Sequence, residues 1–199
     1  MGIRRAPSPK AVDGEVRLDI FHANSVSWLG DSPLAKRDPI YAAGNVLVTL
    51  RNQDLVAILR WEPWELLWAW GPGELLMPHN ATLLENGNIL IFDNRRGEEF
   101  SRVVELDPLR REIVWEYRAP NPEDFYSPSR GSAQRLPNGN TLVGQSDEAR
   151  VFEVTPDGSI VWEWRPTDVD PNGRPATFVR AIRHETAAVD ALRARFASD

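Results

Sequence analysis

Apolar residues in this chain come in short runs, some alternating with polar residues and some unbroken, and each run ends at a turn-forming group. The middle of the chain is the clearest case. Ala81–Leu84 predicts one strand, and Glu85-Asn86-Gly87-Asn88 a hairpin turn of the kind that accepts positive φ. Ile89–Asp93 predicts a second strand and Asn94–Phe100 an insertion. Ser101–Asp107 is the third strand, Pro108–Arg111 a turn and Glu112–Tyr117 the fourth. Further on the same order recurs without the insertion: Gln134–Leu136, Thr141–Gln145, Val151–Thr155 and Ser159–Trp164, the last after Pro156-Asp157-Gly158. In Ile113-Val114-Trp115-Glu116-Tyr117 and Ile160-Val161-Trp162-Glu163-Trp164 the aromatics alternate with a carboxylate, the period of a half-buried strand. Only the tail changes period. Ala188, Val189, Leu192 and Phe196 fall on one helical face and predict a short helix capping the last unit.

These runs are copies of one another. Gly44-Asn45-Val46-Leu47-Val48 opens a copy that closes on Trp68-Ala69-Trp70; Asn86-Gly87-Asn88-Ile89-Leu90 opens one that closes on Trp115-Glu116-Tyr117. Asn138-Gly139-Asn140-Thr141-Leu142 opens the third, which closes on Trp162-Glu163-Trp164. The closing tryptophans at 68, 115 and 162 are 47 residues apart both times. A fixed period of this size, built of short strands and tight turns, predicts an all-β fold: a β-propeller-type array of four-stranded blades with a short C-terminal helix. Residues 19–183 have room for about three and a half blades, leaving 1–18 as an extension and 184–199 as a helical tail. Closed propellers have roughly four to eight blades. The chain is therefore expected to be part of a larger ring, or to complete one as a homo-oligomer. The tryptophans are expected to pack blade on blade. The loops Gly71–Pro78, Ala119–Ser129 and Pro166–Pro175 are expected on one face of the disc, where function concentrates.

Composition narrows the chemistry. A net charge of −6 argues against nucleic acid or an anionic membrane surface as the main partner. No apolar run approaches the ~20 residues of a membrane span, and no secretory signal is visible behind the basic residues of Met1–Lys10. The absence of cysteine excludes disulfides, thiol catalysis and thiolate-bound metals. No metal constellation and no phosphate-binding glycine loop is present, so no cofactor is expected.

Candidate site residues emerge when the start of each inner strand is compared, since those side chains reach the central channel. The middle copy has His79 in Pro78-His79-Asn80-Ala81, the third has Arg130 in Ser129-Arg130-Gly131-Ser132, and an earlier stretch has His22 in Phe21-His22-Ala23-Asn24. A fourth candidate inner strand, Thr177–Ala181, supplies Arg180. The chain has three histidines, and two of them share this position; His184 stands outside it. Imidazoles and guanidiniums converging on a pore would suit an anionic ligand. Arg95 and Arg96, after Phe92-Asp93-Asn94, are candidates to bind an oxyanion, and so is Arg102; a solvated charge cluster with Glu98 and Glu99 is the other reading.

In order along the chain stand Phe21-His22-Ala23-Asn24-Ser25-Val26, Leu50-Arg51-Asn52-Gln53-Asp54, Pro78-His79-Asn80-Ala81 with Phe92-Asp93-Asn94, Phe100-Ser101-Arg102-Val103-Val104-Glu105, and Phe125-Tyr126-Ser127-Pro128. Together they resemble the C-terminal portion of the bacterial arylsulfotransferases that use no nucleotide donor. The resemblance implies a six-bladed propeller, periplasmic or secreted. It also implies transfer of a sulfuryl group from a phenolic sulfate ester to a phenol through a sulfated histidine. It carries over His22 and His79 as channel histidines that hold the sulfuryl oxygens, and Arg96, or its neighbour Arg95, as the arginine that counters their charge. The expected catalytic residues are therefore His22, His79 and Arg96, and Arg95, Arg102, Arg130, Asn24 and Asn80 are expected to bind substrate. In that family the nucleophilic histidine follows the Tyr-Ser-Pro block, and here no histidine matches it. The alternative expectation is therefore a catalytically silent propeller that serves as a binding or scaffold module.

Overall fold

The computed structural model describes residues 9–12, 15–169, 171, 173 and 177–196. Most of Met1–Lys10 and part of the Pro166–Pro175 loop lie outside the described residues. The strands are β1 (Pro9–Val12), β2 (Glu15–Leu18), β3 (Ala23–Trp28), β4 (Asn45–Leu50), β5 (Leu55–Arg60), β6 (Glu65–Trp70) and β7 (His79–Leu83). They continue as β8 (Ile89–Asp93), β9 (Arg102–Asp107), β10 (Glu112–Tyr117), β11 (Ser132–Arg135), β12 (Thr141–Gln145), β13 (Arg150–Val154) and β14 (Ile160–Trp164), followed by α1 (Thr186–Phe196). Three antiparallel meanders, β3–β6, β7–β10 and β11–β14, form three four-stranded sheets. β1 and β2 pair separately as a hairpin that the sequence pattern did not predict. The first strands β3, β7 and β11 are neighbours, as successive inner strands of a propeller must be.

The blades stack because their strands are apolar on both faces. In β8, Ile89 and Ile91 join the core shared with the first blade, with Leu47, Val56, Ile58 and Trp68. Leu90 and Phe92 of the same strand point the other way, into the core shared with the third blade, with Tyr117, Phe125, Val143 and Phe152. Alternation of side chains across a strand that is buried on both sides explains why this segment reads as an unbroken apolar run.

A repeated joint locks each blade to the next. The Trp68 indole donates to the Pro108 carbonyl (2.9 Å), and the Trp115 indole to the Pro156 carbonyl (2.8 Å). Asn86 and Asn88 donate to Glu105, which is ion-paired with Arg135 of the following blade at 2.6 Å. Asn138 and Asn140 repeat this on Glu153, and its partner is Arg183. Arg135 lies over the Trp115 ring and Arg183 over Trp162.

Arg183 thus takes the inner-strand place of a further blade, yet 177–185 is not a strand. Its backbone is held by side chains instead: Ala181 N–H donates to Ser132 Oγ (3.0 Å) and Arg183 N–H to Gln134 Oε1 (2.8 Å). The aromatic expectation also needs adjustment. Trp68 and Trp70 are buried, but Trp28, Trp61, Trp64, Trp162 and Trp164 are exposed, because the outermost blades have no neighbour on one side. No residue of α1 is buried. Among the described residues no helix is long and apolar enough to cross a membrane.

Candidate functional site

The inner strands bring one set of sequence-selected residues to a single cleft of about 470 Å³. It is lined by His22, Asn24, His79, Asn80, Arg130 and Arg180, among others. The backbone at its rim is unusual. His22 (φ +47°), Asn80 (φ +50°) and Arg130 (φ +59°) are all left-handed without being glycine, and they stand at the starts of three successive inner strands. Such residues cost energy unless their surroundings hold them, and they concentrate at functional sites.

Each is held. The turn after β4 clasps the segment before β3: Arg51 N–H donates to the His22 carbonyl (3.2 Å), Asn52 Nδ2 to Asp19 O (2.7 Å) and Gln53 Nε2 to Ile20 O (2.7 Å). Asp19 in turn accepts from the His22 backbone N–H (2.8 Å) and pairs with His22 Nδ1. Asn24 Nδ2 ties the first blade to the Pro78 carbonyl (2.9 Å), and its buried Oδ1 has no protein partner. Asn80 Oδ1 accepts from Ala133 N–H (2.9 Å) and ties the second blade to the third. The Arg130 turn is anchored by Asp147, which accepts from the Ser129 backbone N–H (2.8 Å) and hydroxyl (2.9 Å). Arg130 lines the cleft, and its Nη1 donates to Thr177 Oγ1 (3.0 Å).

His79 is the most constrained group in the cleft. Its Nδ1 lies 2.6 Å from Asn94 Oδ1 and 3.3 Å from the Met77 carbonyl. The Asn94 amide is itself oriented, because its Nδ2 donates to the carbonyls of Ser127 (2.7 Å) and Arg130 (2.6 Å). Both neighbours of His79 Nδ1 are therefore acceptors, so Nδ1 carries the proton and Nε2 is left with its lone pair. Burial lowers the His79 pKa to about 4; the positive charge of Arg51 and the nearby His22 act in the same direction, against the Asn94 and Met77 hydrogen bonds. At neutral pH the ring is an uncharged imidazole.

Other sequence-selected residues stand elsewhere. Arg102 is buried in structural pairs, with Asp93 (2.8 Å), Glu116 (2.7 Å) and the Glu74 carbonyl (2.7 Å). Arg95 pairs with Asp93 and Glu98 and packs over Phe100. Arg96 is exposed in the turn beside it. None of the three lines the cleft. His184 also lies outside it and is exposed. Sequence reasoning had Asn94 only as part of a motif, and it gave Asp19 and Asp147 no role. Asn94 was within reach of it, because antiparallel pairing of β7 with β8 puts Phe92 opposite His79 and the residues just after it beside the ring. Among the described residues no group of three or more His, Cys, Asp or Glu is placed to hold a metal ion.

Comparison with known proteins adds a family. A profile described as arylsulfotransferase (ASST) matches residues 5–167. No curated protein matches by sequence. Among solved structures, a protein of unknown function from Bacteroides caccae superposes with a TM-score of 0.53 at 17% identity, over 77% of this chain and 51% of that one. A virginiamycin B lyase from Staphylococcus aureus, solved with quinupristin, aligns with a TM-score of 0.49 at 14% identity, over 77% and 43%. Hydrazine synthase from Kuenenia stuttgartiensis gives 0.47 at 11% identity, over 76% and 42%. The chain thus spans about half the length of these structures or less.

Proposed function

The chain belongs to the arylsulfotransferase family, and from that premise we propose that its cleft takes a sulfuryl group from a phenolic sulfate ester and passes it to a phenol, with His79 as the attacking group. The observation that carries this reading is the state of His79: an uncharged imidazole, fixed by Asn94 so that Nε2 keeps its lone pair, in a cleft shared with two arginines.

The steps balance as a double displacement. His79 Nε2 attacks sulfur, the S–O(aryl) bond breaks, and the electron pair leaves on the phenolate oxygen. Arg130 and Arg180 face the charge that grows on the sulfuryl and phenolate oxygens, where fixed cations stabilise a transition state most. His22, held by Asp19, is the acid that protonates the leaving phenolate. A second phenol then loses its proton to His22, its oxygen attacks sulfur, and the Nε2–S bond breaks, restoring neutral His79. Asn24 and Asn80 position the substrate from the neighbouring strand starts. Arg95, Arg96 and Arg102 shape the loops behind the cleft in this reading; the sulfuryl group is countered by Arg130 and Arg180.

For the open ends of the arc, the occupant is a second copy of the chain. The matched part of this chain covers 51% of the Bacteroides caccae structure, so two copies of that part make up about one length of it.

Transfer from 4-nitrophenyl sulfate to phenol tests the reading. Wild type should release 4-nitrophenolate and form phenyl sulfate, and His79→Ala should lose at least ~100-fold in kcat. Transfer that survives in His79→Ala removes His79 as nucleophile. A folded wild type with no transfer overturns the reading as a whole and leaves an anion-binding propeller.

A further inference from the structure

We infer that Asn94 is the positioning residue that decides which imidazole nitrogen of His79 meets the cleft, and that it ties this choice to the loop carrying Arg130. Its catalytic consequence rests on the reading above; its geometry does not.

Three observations converge on Asn94. The side chain is fully buried at the end of β8, so water does not compete for its amide. Its Nδ2 spends both hydrogens on main-chain carbonyls, those of Ser127 and Arg130, which leaves no freedom to flip the amide. Its Oδ1 is then obliged to face His79 Nδ1 as an acceptor. A free imidazole prefers the tautomer with hydrogen on Nε2, which would present a donor, not a lone pair, to an incoming sulfur. Asn94, the nearer of the two acceptors on Nδ1 at 2.6 Å against 3.3 Å for the Met77 carbonyl, reverses that preference by an orientation it cannot exchange.

The same side chain crosses a blade boundary. Asn94 and His79 belong to the second blade, whereas Ser127 and Arg130 lie on the connection into the third. Ser101 Oγ donates to the Asn94 carbonyl (3.1 Å) and accepts from the Ser127 N–H (2.9 Å), closing a buried polar ring around this junction. A movement of the Arg130 loop therefore acts on the amide that sets the His79 tautomer. Attacking nitrogen and charge-stabilising arginine are referenced to one side chain, which keeps the two in register with each other.

The test uses full-length protein with 15N-labelled histidine, the three ring systems being assigned with His22→Gln, His79→Gln and His184→Gln. In wild type at pH 7 the His79 Nδ1 should show the signature of a protonated nitrogen and Nε2 that of an unprotonated one. In Asn94→Ala the Nε2–H form should appear. A wild-type ring protonated at Nε2, or a ring unchanged in Asn94→Ala, overturns the inference. Should Asn94→Ala not fold, Asn94→Asp decides: it keeps an acceptor for Nδ1, so the Nδ1–H form should persist while the ring titrates at higher pH. Titration at the wild-type pH would then overturn it. In the transfer assay Asn94→Ala should lose about 100-fold in kcat with KM changed less than about threefold, as expected for a wrong tautomer. A loss confined to KM counts against positioning. An inactive wild type with the expected ring spectrum would sink the transferase reading and leave the role of Asn94 standing.

Discussion

Gly131 sits between Arg130 and Ser132 at φ +107°, and a Cβ there would lie 2.4 Å from the ring of Phe92, which is fully buried. Neither the backbone nor the ring can yield cheaply, so Gly131→Ala should destabilise the protein by about 2 kcal/mol or more. Urea denaturation measures this, and a loss under about 0.5 kcal/mol would mean that the contact relaxes. His79 makes a second residue-scale claim. Its folded pKa of about 4 lies below the ~6.5 of an unfolded histidine. The unfolded chain therefore takes up this proton first as pH falls. The stability gained by keeping the ring neutral is complete above pH ~6.5, shrinks as pH drops toward 4, and levels off below that. Arg51 and His22 are the charged or titratable groups acting on this ring, and both oppose its protonation. For a ring partly open to the cleft the change is on the order of 2 kcal/mol. Wild type should thus lose that much more stability than His79→Asn between pH 7 and pH 4. Equal losses in the two proteins would show that the ring titrates normally. The placement of His22, His79 and Arg130 was legible in the sequence because copies of one unit put equivalent residues in equivalent places. The roles of Asn94, Asp19 and Asp147 were not, because a side chain that orients another is recognised by its hydrogen bonds and not by its residue type.

At the scale of the element, the joint between blades carries the energetics. Trp68 is 8% exposed and donates across the first joint, whereas Trp162, at the matching place on the third blade, is 43% exposed and covered mainly by Arg183. Trp68→Ala should cost about 3 kcal/mol, and Trp162→Ala less than about 1, although the two residues hold the same position in the repeat. Chemical denaturation of both variants checks this; equal costs would show that the last blade is packed as fully as the first. Strand order and turn positions were readable, because Asn-Gly and Pro-Asp-Gly turns punctuate apolar runs of period two. The fourth inner strand was misread for a physical reason. Thr177–Ala181 has the apolar spacing of a strand, but the Ser132 and Gln134 side chains take the N–H groups of Ala181 and, just beyond it, Arg183, so no ladder forms. The β1–β2 hairpin was missed because its short strands carry little apolar pattern.

At the largest scale the three described blades form an arc. Val26, Trp28 and Trp64 are exposed on the first blade, and Ile160, Val161, Trp162 and Trp164 on the last. Apolar surface left open at both ends favours association. If a second copy occupies these ends, the light-scattering mass should approach two chains as concentration rises, and the pair Trp28→Ser, Trp162→Ser should hold it at one. A wild-type mass of one chain at all concentrations removes the second copy from the proposal.

The uneven burial of the tryptophans also makes this protein its own optical probe. Five of the eight indoles stand at or near the two open ends, and Trp28, Trp61 and Trp64 form one contiguous aromatic cluster there. Indole emission moves to shorter wavelength when water is excluded. Whatever covers the ends of the arc will therefore shift the intrinsic fluorescence to the blue, and loss of the cover will reverse the shift, so that assembly can be followed in real time without a dye.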